Sequence, residues 1–252
     1  MALRRTFRFL FVHAHPDDET LSTGALILGL ERAGHSCAVL TATRGERGEV
    51  VAGSLPHDAD LVASRALERS RAIAALGAHD AGWLGETPNR QTGSLDRVYA
   101  DSGMRWITET LAGPAPDAPA DAFTRADPAE ATDDLVAAIA ALPRPLIFPE
   151  PELILVSYAA DGGYGHPDHV RCHEITRAAA KRLSLPFAEI TTDRTTTTAW
   201  YEAGDDLDRL REAHIAYPSQ FTVVGDEIHH VGGQVDRMVV EAGLHFVEPC
   251  DE

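Results

Sequence analysis

The chain has 252 residues, of which 44% are hydrophobic and 24% charged, a composition typical of a globular protein with a sizeable core. Its formal charge of −17, from 39 acidic and 22 basic residues, argues against nucleic acid or an anionic membrane surface as a partner. The three cysteines, Cys37, Cys172 and Cys250, are widely spaced, which argues against a disulfide framework.

Hydrophobic patterning divides the chain into alternating strands and helices. In chain order we predict a strand at 7–12, a helix at 18–32, a strand at 37–41, a helix at 61–76, a strand beginning at 83–84, a helix at 130–142, a strand at 153–157, a helix at 167–183, an extended stretch at 188–201, a helix at 206–216 and a hairpin at 221–231. Residues 113–128, rich in Ala, Pro and Asp, are expected to form an exposed loop or linker.

This alternation predicts an α/β fold, with a Rossmann-like, doubly wound, mostly parallel sheet and a small C-terminal extension. We expect one domain over residues 1–252, because α/β folds of this length often form a single domain. Within it, residues 1–185 form the core that carries the site, and residues 186–252 form a smaller portion that completes the pocket.

Two clusters of ionisable residues follow predicted strands. Residues 15–19 read His-Pro-Asp-Asp-Glu, and residues 166–169 read His-Pro-Asp-His. In a doubly wound sheet both loops open at the carboxyl edge, where ligands bind. One His and one Asp from the first cluster, with one His from the second, would give three N/O ligands and an open position for water, as in catalytic zinc sites.

Each cluster also has a purely structural interpretation. Asp17 and Asp18 stand near a helix start, where acidic residues cap the helix and complement its dipole. His166 and His169 also lie at a predicted helix start, and such histidines are often simply hydrogen-bonded. The occurrence of two unusual clusters at equivalent places in the topology favours a shared metal site.

The clusters also carry a resemblance to a known family. Residues 14–19 and 165–169 resemble the two signatures of the LmbE/PIG-L family of zinc-dependent N-deacetylases, and the resemblance spans most of the first 180 residues. The stretches 19–24, 45–50, 101–104 and 162–164 are similar to the branch that acts in mycothiol biosynthesis, on an N-acetylglucosaminyl-inositol. A related amidase usually carries a Lys soon after its first signature, whereas residues 21–23 here are Leu-Ser-Thr.

The resemblance implies roles by motif position. They are His15, Asp18 and His169 as zinc ligands, Asp17 as general base, His166 as electrostatic stabiliser of the transition state, Tyr164 as a contributor to oxyanion binding, Asp168 as the residue that orients or tunes His166, and Ser22, Arg65 and Asp101 as contacts to the substrate sugar. Zinc is the implied cofactor, although Fe²⁺ or another divalent transition metal suits the same ligands.

The expected function is therefore metal-dependent removal of an N-acetyl group from an amino sugar or sugar conjugate of the N-acetylglucosaminide type, with metal-bound water as nucleophile. One alternative is a mycothiol-conjugate amidase. Another is a hydratase or lyase acting on an unsaturated dicarboxylate, in which Arg44 and Arg47 would bind carboxylates; a solvated loop is the favoured interpretation of these arginines. The expected partner is a small-molecule amino sugar, and a homo-oligomer is compatible with the sequence.

The N-terminal residues favour a cytoplasmic protein. The apolar run at 7–12 is interrupted by Arg8 and leads into charged residues without a small-residue cleavage site, unlike a signal peptide. No apolar stretch approaches the length of a membrane span.

Overall fold

A computed structural model describes residues 5–144 and 150–248. The strands in this part of the chain are β1 (Phe7–His13), β2 (Ser36–Thr41), β3 (His79–Trp83), β4 (Met104–Trp106), β5 (Ala112–Pro114), β6 (Glu152–Ser157), β7 (Phe187–Thr191), β8 (Ala199–Glu202), β9 (Phe221–Val224), β10 (Glu227–His230), β11 (Val235–Arg237) and β12 (Glu241–Phe246). The α-helices are α1 (Asp18–Leu21), α2 (Gly24–Arg32), α3 (Leu61–Leu76), α4 (Pro128–Ala141), α5 (Gly162–Gly165), α6 (Pro167–Leu183) and α7 (Leu207–Ile215).

A seven-stranded sheet in the order β3-β2-β1-β6-β7-β12-β8 forms the centre of the molecule. The strands from β3 to β7 are parallel to their neighbours, and β12 is antiparallel to both β7 and β8. The prediction of a mostly parallel α/β sheet is confirmed. Two small antiparallel sheets, β11-β10-β9 and β4-β5, lie beside it.

Helices cover both faces of this sheet, because the side chains of its central strands alternate between two apolar cores. In β1, Phe9 and Phe11 join the core formed with α2, α3 and α7. Leu10 and Val12 join the opposite core, formed with α4 and α6. All four side chains are buried. Among the described residues, no helix is both long and apolar enough to cross a membrane.

The part of the chain after residue 186 contributes β7, β12 and β8 to the central sheet. It also contributes α7, which packs against α3 and α2. The central sheet therefore continues across the boundary expected between the core and the C-terminal portion.

The helix predicted over residues 18–32 is two helices, α1 and α2, with a break at Ser22 and Thr23. The Thr23 hydroxyl donates a hydrogen bond of 3.0 Å to the carbonyl of Glu19. A threonine side chain that bonds a carbonyl four residues earlier competes with the helical backbone. The apolar periodicity continued through this position and gave no sign of the break.

Residues 113–128 are predicted to form an exposed loop or linker, and half of them are exposed, but the segment also packs against the core. Phe123 and Ala122 are fully buried, and the Phe123 ring lies 5.3 Å from that of Tyr99, edge to face. One aromatic residue thus anchors a segment whose Ala, Pro and Asp content is typical of a loop. Strand β5, which overlaps the start of this stretch, pairs with β4.

Two other boundaries differ from the prediction. The third strand, β3, ends at Trp83 rather than beginning there, because it is a polar edge strand that an apolar pattern does not reveal. The extended stretch predicted at 188–201 is two strands, β7 and β8, which pair with β12 rather than with each other.

Candidate metal centre

Two loops meet at the carboxyl edge of the central sheet. β1 ends at His13 and β6 ends at Ser157, and the two strands are parallel neighbours, so the loops that follow them leave the sheet at the same edge. The backbone N–H of Ala14 donates a hydrogen bond of 3.0 Å to the hydroxyl oxygen of Tyr158, which bonds the first loop to the second.

Asp18 lies between two imidazoles in this region. Its Oδ2 is 3.3 Å from Nδ1 of His15, and its Oδ1 is 3.3 Å from Nε2 of His169. Burial opposes the charge of Asp18, but His169 and His15 outweigh it and hold the pKa of this carboxyl well below its usual range. The structure thus brings together the three residues that the motifs assign to a metal.

The hydrogen bonding of His169 fits a metal ligand. Its Nδ1 lies 3.2 Å from the carbonyl oxygen of Gly162, and because a carbonyl only accepts, Nδ1 is the donor. In the neutral ring Nε2 then carries a lone pair; it is buried and has no hydrogen-bond partner among the described residues. Because this lone pair faces a carboxylate oxygen of Asp18, a cation between the two atoms would be favourable. A metal-binding histidine usually donates its other ring N–H to a carbonyl or carboxylate, as Nδ1 of His169 does here.

Two further carboxylates lie against the other nitrogen of His15. Nε2 of this ring is 3.2 Å from Oδ2 of Asp168 and 3.6 Å from Oδ1 of Asp101. Burial opposes a positive charge on His15, but Asp101, Asp168 and Asp18 together raise its pKa well above its usual value. A carboxylate on the far nitrogen orients the ring and makes the nitrogen that faces a metal more basic. Ligand atoms of His15, His166 and His169 lie within 4.8 Å of one another, as do those of His15, Asp101 and Asp168, so the residues around His15 could hold a divalent transition metal.

Asp17 lies beside this cluster and precedes α1. Among the described residues its side chain makes no capping hydrogen bond to α1, so the capping interpretation is not supported. Its φ of 106° is in the left-handed region, which costs a residue with a Cβ about 1–3 kcal/mol. Burial, together with repulsion from Asp18 and Glu19, raises the pKa of Asp17 well above its usual range. A carboxylate with a raised pKa is suited to accept a proton near neutral pH.

His166 lies against both candidate histidine ligands, with its ring 4.6 Å from that of His15 and 4.7 Å from that of His169. Its Nδ1 accepts a 3.2 Å hydrogen bond from the backbone N–H of Asp168, so the proton of the neutral ring is on Nε2. Burial and the two neighbouring imidazoles lower the pKa of His166 to about 2. Asp168 thus contacts His166 through its backbone N–H, and its carboxylate contacts His15.

Tyr164 forms the outer edge of the cluster. Its ring is 5.2 Å from that of His169 and 5.8 Å from that of Trp106 in β4. The Tyr164 side chain is partly exposed. Burial and the charge of Asp18 raise the pKa of its hydroxyl, which is a hydrogen-bond donor at neutral pH.

The three predicted sugar contacts have different surroundings. Ser22, at the end of α1, is half-buried. Arg65 is buried and donates to the carbonyls of Gly48 and Glu49 at 3.1 and 2.9 Å, while its Nε and Nη1 lack a partner within the described part of the chain. Asp101 is buried against His15, and the charge of His15 outweighs burial and lowers the pKa of Asp101.

The two arginines considered for a dicarboxylate substrate are paired inside the chain. Arg44 is buried, forms an ion pair with Glu86 and lies over the Trp83 ring at 3.9 Å, so the solvated-loop interpretation is wrong for this residue. Arg47 is exposed and pairs with Asp117 at 2.8 Å.

Sequence reasoning missed Tyr158, which lies just after β6. Its hydroxyl is bonded to Asp18, and its ring stacks on His169 at 4.0 Å between ring centres. A lone tyrosine after an apolar strand carries no motif, so only the fold reveals its place beside two candidate ligands.

The fold and the cluster define an α/β protein with a candidate metal centre at the carboxyl edge of its sheet. Comparison with known families matches residues 10–180, which include both loops, to the family described as PIG-L, GlcNAc-PI de-N-acetylase. The chain belongs to this PIG-L/LmbE family.

A relative from Kineococcus radiotolerans, named 1D-myo-inositol 2-acetamido-2-deoxy-alpha-D-glucopyranoside deacetylase, is 43% identical over 171 residues, which are 67% of this chain and 43% of the relative. The chain spans about half the length of the relatives that it matches.

Two solved structures share the fold. A deacetylase–teicoplanin complex from the biosynthesis pathway of teicoplanin has a TM-score of 0.55 and 17% identity, and the match covers 96% of this chain and 100% of that one. GalB, the 4-carboxy-2-hydroxymuconate hydratase from Pseudomonas putida, has a TM-score of 0.50 and 16% identity, with 98% of both chains covered. The fold alone therefore does not decide the reaction.

Proposed function

We propose that the chain removes the N-acetyl group from an amino sugar conjugate of the N-acetylglucosaminide type, giving acetate and a free amine. The observation that carries the proposal is the difference between two neighbouring carboxylates. Asp18 lies between two imidazoles, whereas the side chain of Asp17 makes no capping hydrogen bond to α1 in the described residues. The names of the relatives that it matches support the substrate class.

In this proposal His15, Asp18 and His169 hold a divalent ion, and zinc suits their N/O donor set. The ion, when bound, polarises the amide carbonyl and lowers the pKa of the attacking water to about 7. Asp17 accepts the proton of that water, and such a positioned base contributes about 10²- to 10⁴-fold in rate.

Nε2–H of His166 and the hydroxyl of Tyr164 donate to the carbonyl oxygen as negative charge develops on it. Loss of one such donor typically costs about 10²- to 10³-fold in kcat. Arg65, with buried donors left without partners among the described residues, is the candidate for a hydrogen bond to a sugar hydroxyl, and Ser22 and Asp101 are the further candidates for the sugar. Asp168 holds His15 in place through its carboxylate.

The test is a panel of N-acetylglucosaminides, including the inositol conjugate named for the relatives, incubated with zinc-loaded or iron(II)-loaded protein. Release of acetate and primary amine in equal amounts, lost in His15→Ala and retained in the exposed control His57→Ala, is the expected result. Hydration of an unsaturated dicarboxylate without amine release from any member of the panel would overturn the proposal. The pairing of Arg44 with Glu86 and of Arg47 with Asp117 gives that second reaction no support.

A further inference from the structure

The peptide group between Pro16 and Asp17 is hydrogen-bonded at both of its polar atoms. Its carbonyl oxygen, on Pro16, accepts a 2.6 Å hydrogen bond from the side-chain amide of Gln220. Its N–H, on Asp17, donates to Oε2 of Glu19 at 3.2 Å. Because both atoms are held, the plane of this peptide is fixed. The position of the Asp17 side chain then depends on the rotation about φ of Asp17.

Glu19 is itself held in place. It is fully buried, and its Oε1 accepts hydrogen bonds from the hydroxyl of Tyr217 at 2.6 Å and from the hydroxyl of Thr20 at 2.9 Å. Tyr217 is also fully buried, and its carbonyl accepts the backbone N–H of Gln220 at 3.1 Å, so both residues belong to one turn. This turn follows α7 and lies outside residues 10–180, the segment that matches the family.

The conformation of Asp17 requires such support. A φ of 106° is unfavourable for a residue with a Cβ and persists only where the surroundings determine it. The side chain of Asp17 makes no capping hydrogen bond to α1 in the described structure. Its backbone is held on both sides: two hydrogen bonds fix the Pro16–Asp17 peptide before it, and its own carbonyl accepts the N–H groups of Thr20 and Leu21.

We propose that Glu19, Tyr217 and Gln220 act as positioning residues, which together clamp the Pro16–Asp17 peptide and so hold the Asp17 carboxylate where it accepts a proton. This inference rests on the proposed role of Asp17 as base. It assigns a function to the last residue of the first motif and makes the turn at 217–220 part of the active site. A displacement of about 1 Å at a reacting group can cost 10²-fold in rate.

The test compares Gln220→Leu and Tyr217→Phe, singly and together, in the metal-loaded chain. We expect kcat to fall about 10- to 100-fold in the double variant, with KM and the affinity for zinc within twofold of wild type, because neither residue contacts the candidate ligands. Tyr99→Phe is the matched control, because Tyr99 is another fully buried tyrosine that donates to a carboxylate, Asp134, at 2.7 Å.

Two substitutions of Glu19 test whether a conservative replacement restores kcat. Glu19→Ala removes the acceptor of the Asp17 N–H, whereas Glu19→Gln keeps a side-chain carbonyl oxygen for it, so Gln is expected to recover most of the kcat that Ala loses. If Glu19→Ala does not fold, the Gln220 and Tyr217 variants still decide the question. Unchanged kcat in the double variant, or a loss of zinc affinity equal to the loss of kcat, would overturn the clamp.

A second readout does not depend on turnover. Hydrogen exchange followed by mass spectrometry is expected to show at least tenfold faster exchange in the peptide that contains Asp17 in the double variant than in wild type or Tyr99→Phe. If the wild-type chain deacetylates the substrate, and the double variant has unchanged kcat and unchanged hydrogen exchange, the clamp is rejected and the proposed function stands. If the wild-type chain does not deacetylate the substrate, but hydrogen exchange is faster in the double variant, the proposed function is rejected and the clamp remains as a structural feature.

Discussion

The hydroxyl of Tyr158 donates a hydrogen bond of 2.7 Å to Oδ2 of Asp18. The same ring stacks on His169 with an angle of 7° between the planes, and its hydroxyl lies 3.2 Å from Nδ1 of His13. One buried side chain therefore orients two of the three candidate ligands. Loss of such an outer contact typically costs about 10- to 100-fold in metal affinity or activity.

Tyr158→Phe is expected to weaken zinc affinity about 10- to 100-fold while preserving the fold, because the ring still stacks on His169 but Asp18 loses a donor. Competition with a chromophoric chelator measures the affinity directly. Tyr99→Phe, which removes a hydroxyl bonded to Asp134 outside the site, is the control and should leave affinity unchanged. Equal affinities in both variants would contradict the role given to Tyr158.

Asp17→Asn is expected to lower kcat by about 10²- to 10⁴-fold and to leave the bound zinc unchanged. Asparagine matches aspartate in size and tolerates the left-handed region, so the variant removes basicity without changing the backbone. Metal content is measured on the same samples as amine release. The paired variant Asp18→Asn should lose zinc as well as turnover, and a near-normal rate in Asp17→Asn would remove Asp17 from the base role.

The sequence was sufficient to predict how the two motifs meet. Apolar runs followed by His15 and His166 indicated strands in one parallel sheet, and parallel strands present their carboxyl ends at one edge. The alternation of β1 between two cores also follows from its four consecutive apolar residues at 9–12. These features depend on periodicity and topology, which are properties of the local sequence.

The supporting residues depend on tertiary packing and could not be predicted in the same way. Tyr158 and Tyr217 are single aromatic residues without a motif, and each is placed by elements distant in sequence from its carboxylate partner. The contact of the Asp168 carboxylate with His15 joins two loops that are far apart in sequence. Phe123 is likewise buried by tertiary packing, in a segment whose composition predicted an exposed loop or linker.

Acid is expected to destabilise the protein through His13, which is fully buried between Tyr158 and Thr23. Burial lowers its pKa from 6.5 to about 4, against an opposing effect of Asp18. As the pH falls below 6.5 the unfolded chain binds the proton first, so the unfolding free energy decreases until the pH reaches about 4. Between pH 8 and pH 5 this linkage amounts to about 2 kcal/mol.

Urea unfolding of chelator-treated protein at pH 8 and pH 5 measures this contribution. His13→Gln removes the titrating group, so the pH-dependent loss of stability should be about 2 kcal/mol smaller than in wild type. Comparing the two pH values within each protein cancels the fixed cost of the substitution. The control His57→Gln replaces an exposed imidazole and should keep the wild-type pH dependence. Equal pH dependence in His13→Gln and wild type would mean that His13 is not held neutral by the fold.

Alanine substitutions at Gly165 and Gly163 can be compared to test how the β4–β5 hairpin packs against the site. Both glycines are left-handed, with φ of 85° and 77°. A Cβ on Gly165 would lie 2.7 Å from the carbonyl oxygen of Ala112 and 2.8 Å from Cδ1 of Leu111, whereas a Cβ on Gly163 would meet nothing within 4 Å in the described structure. Neither φ suits a residue with a Cβ, so alanine is strained at both positions, but only at Gly165 must β5 also move.

Gly165→Ala should therefore lower the unfolding free energy by about 1–3 kcal/mol more than Gly163→Ala, measured by urea unfolding at neutral pH. The displaced hairpin should also become more accessible to limited proteolysis between β4 and β5, because its packing on Gly165 is lost. Gly163→Ala shares the strain without the clash and should keep the wild-type cleavage rate there. If the two variants lose the same unfolding free energy and are cleaved at the same rate between β4 and β5, the hairpin is not packed against Gly165.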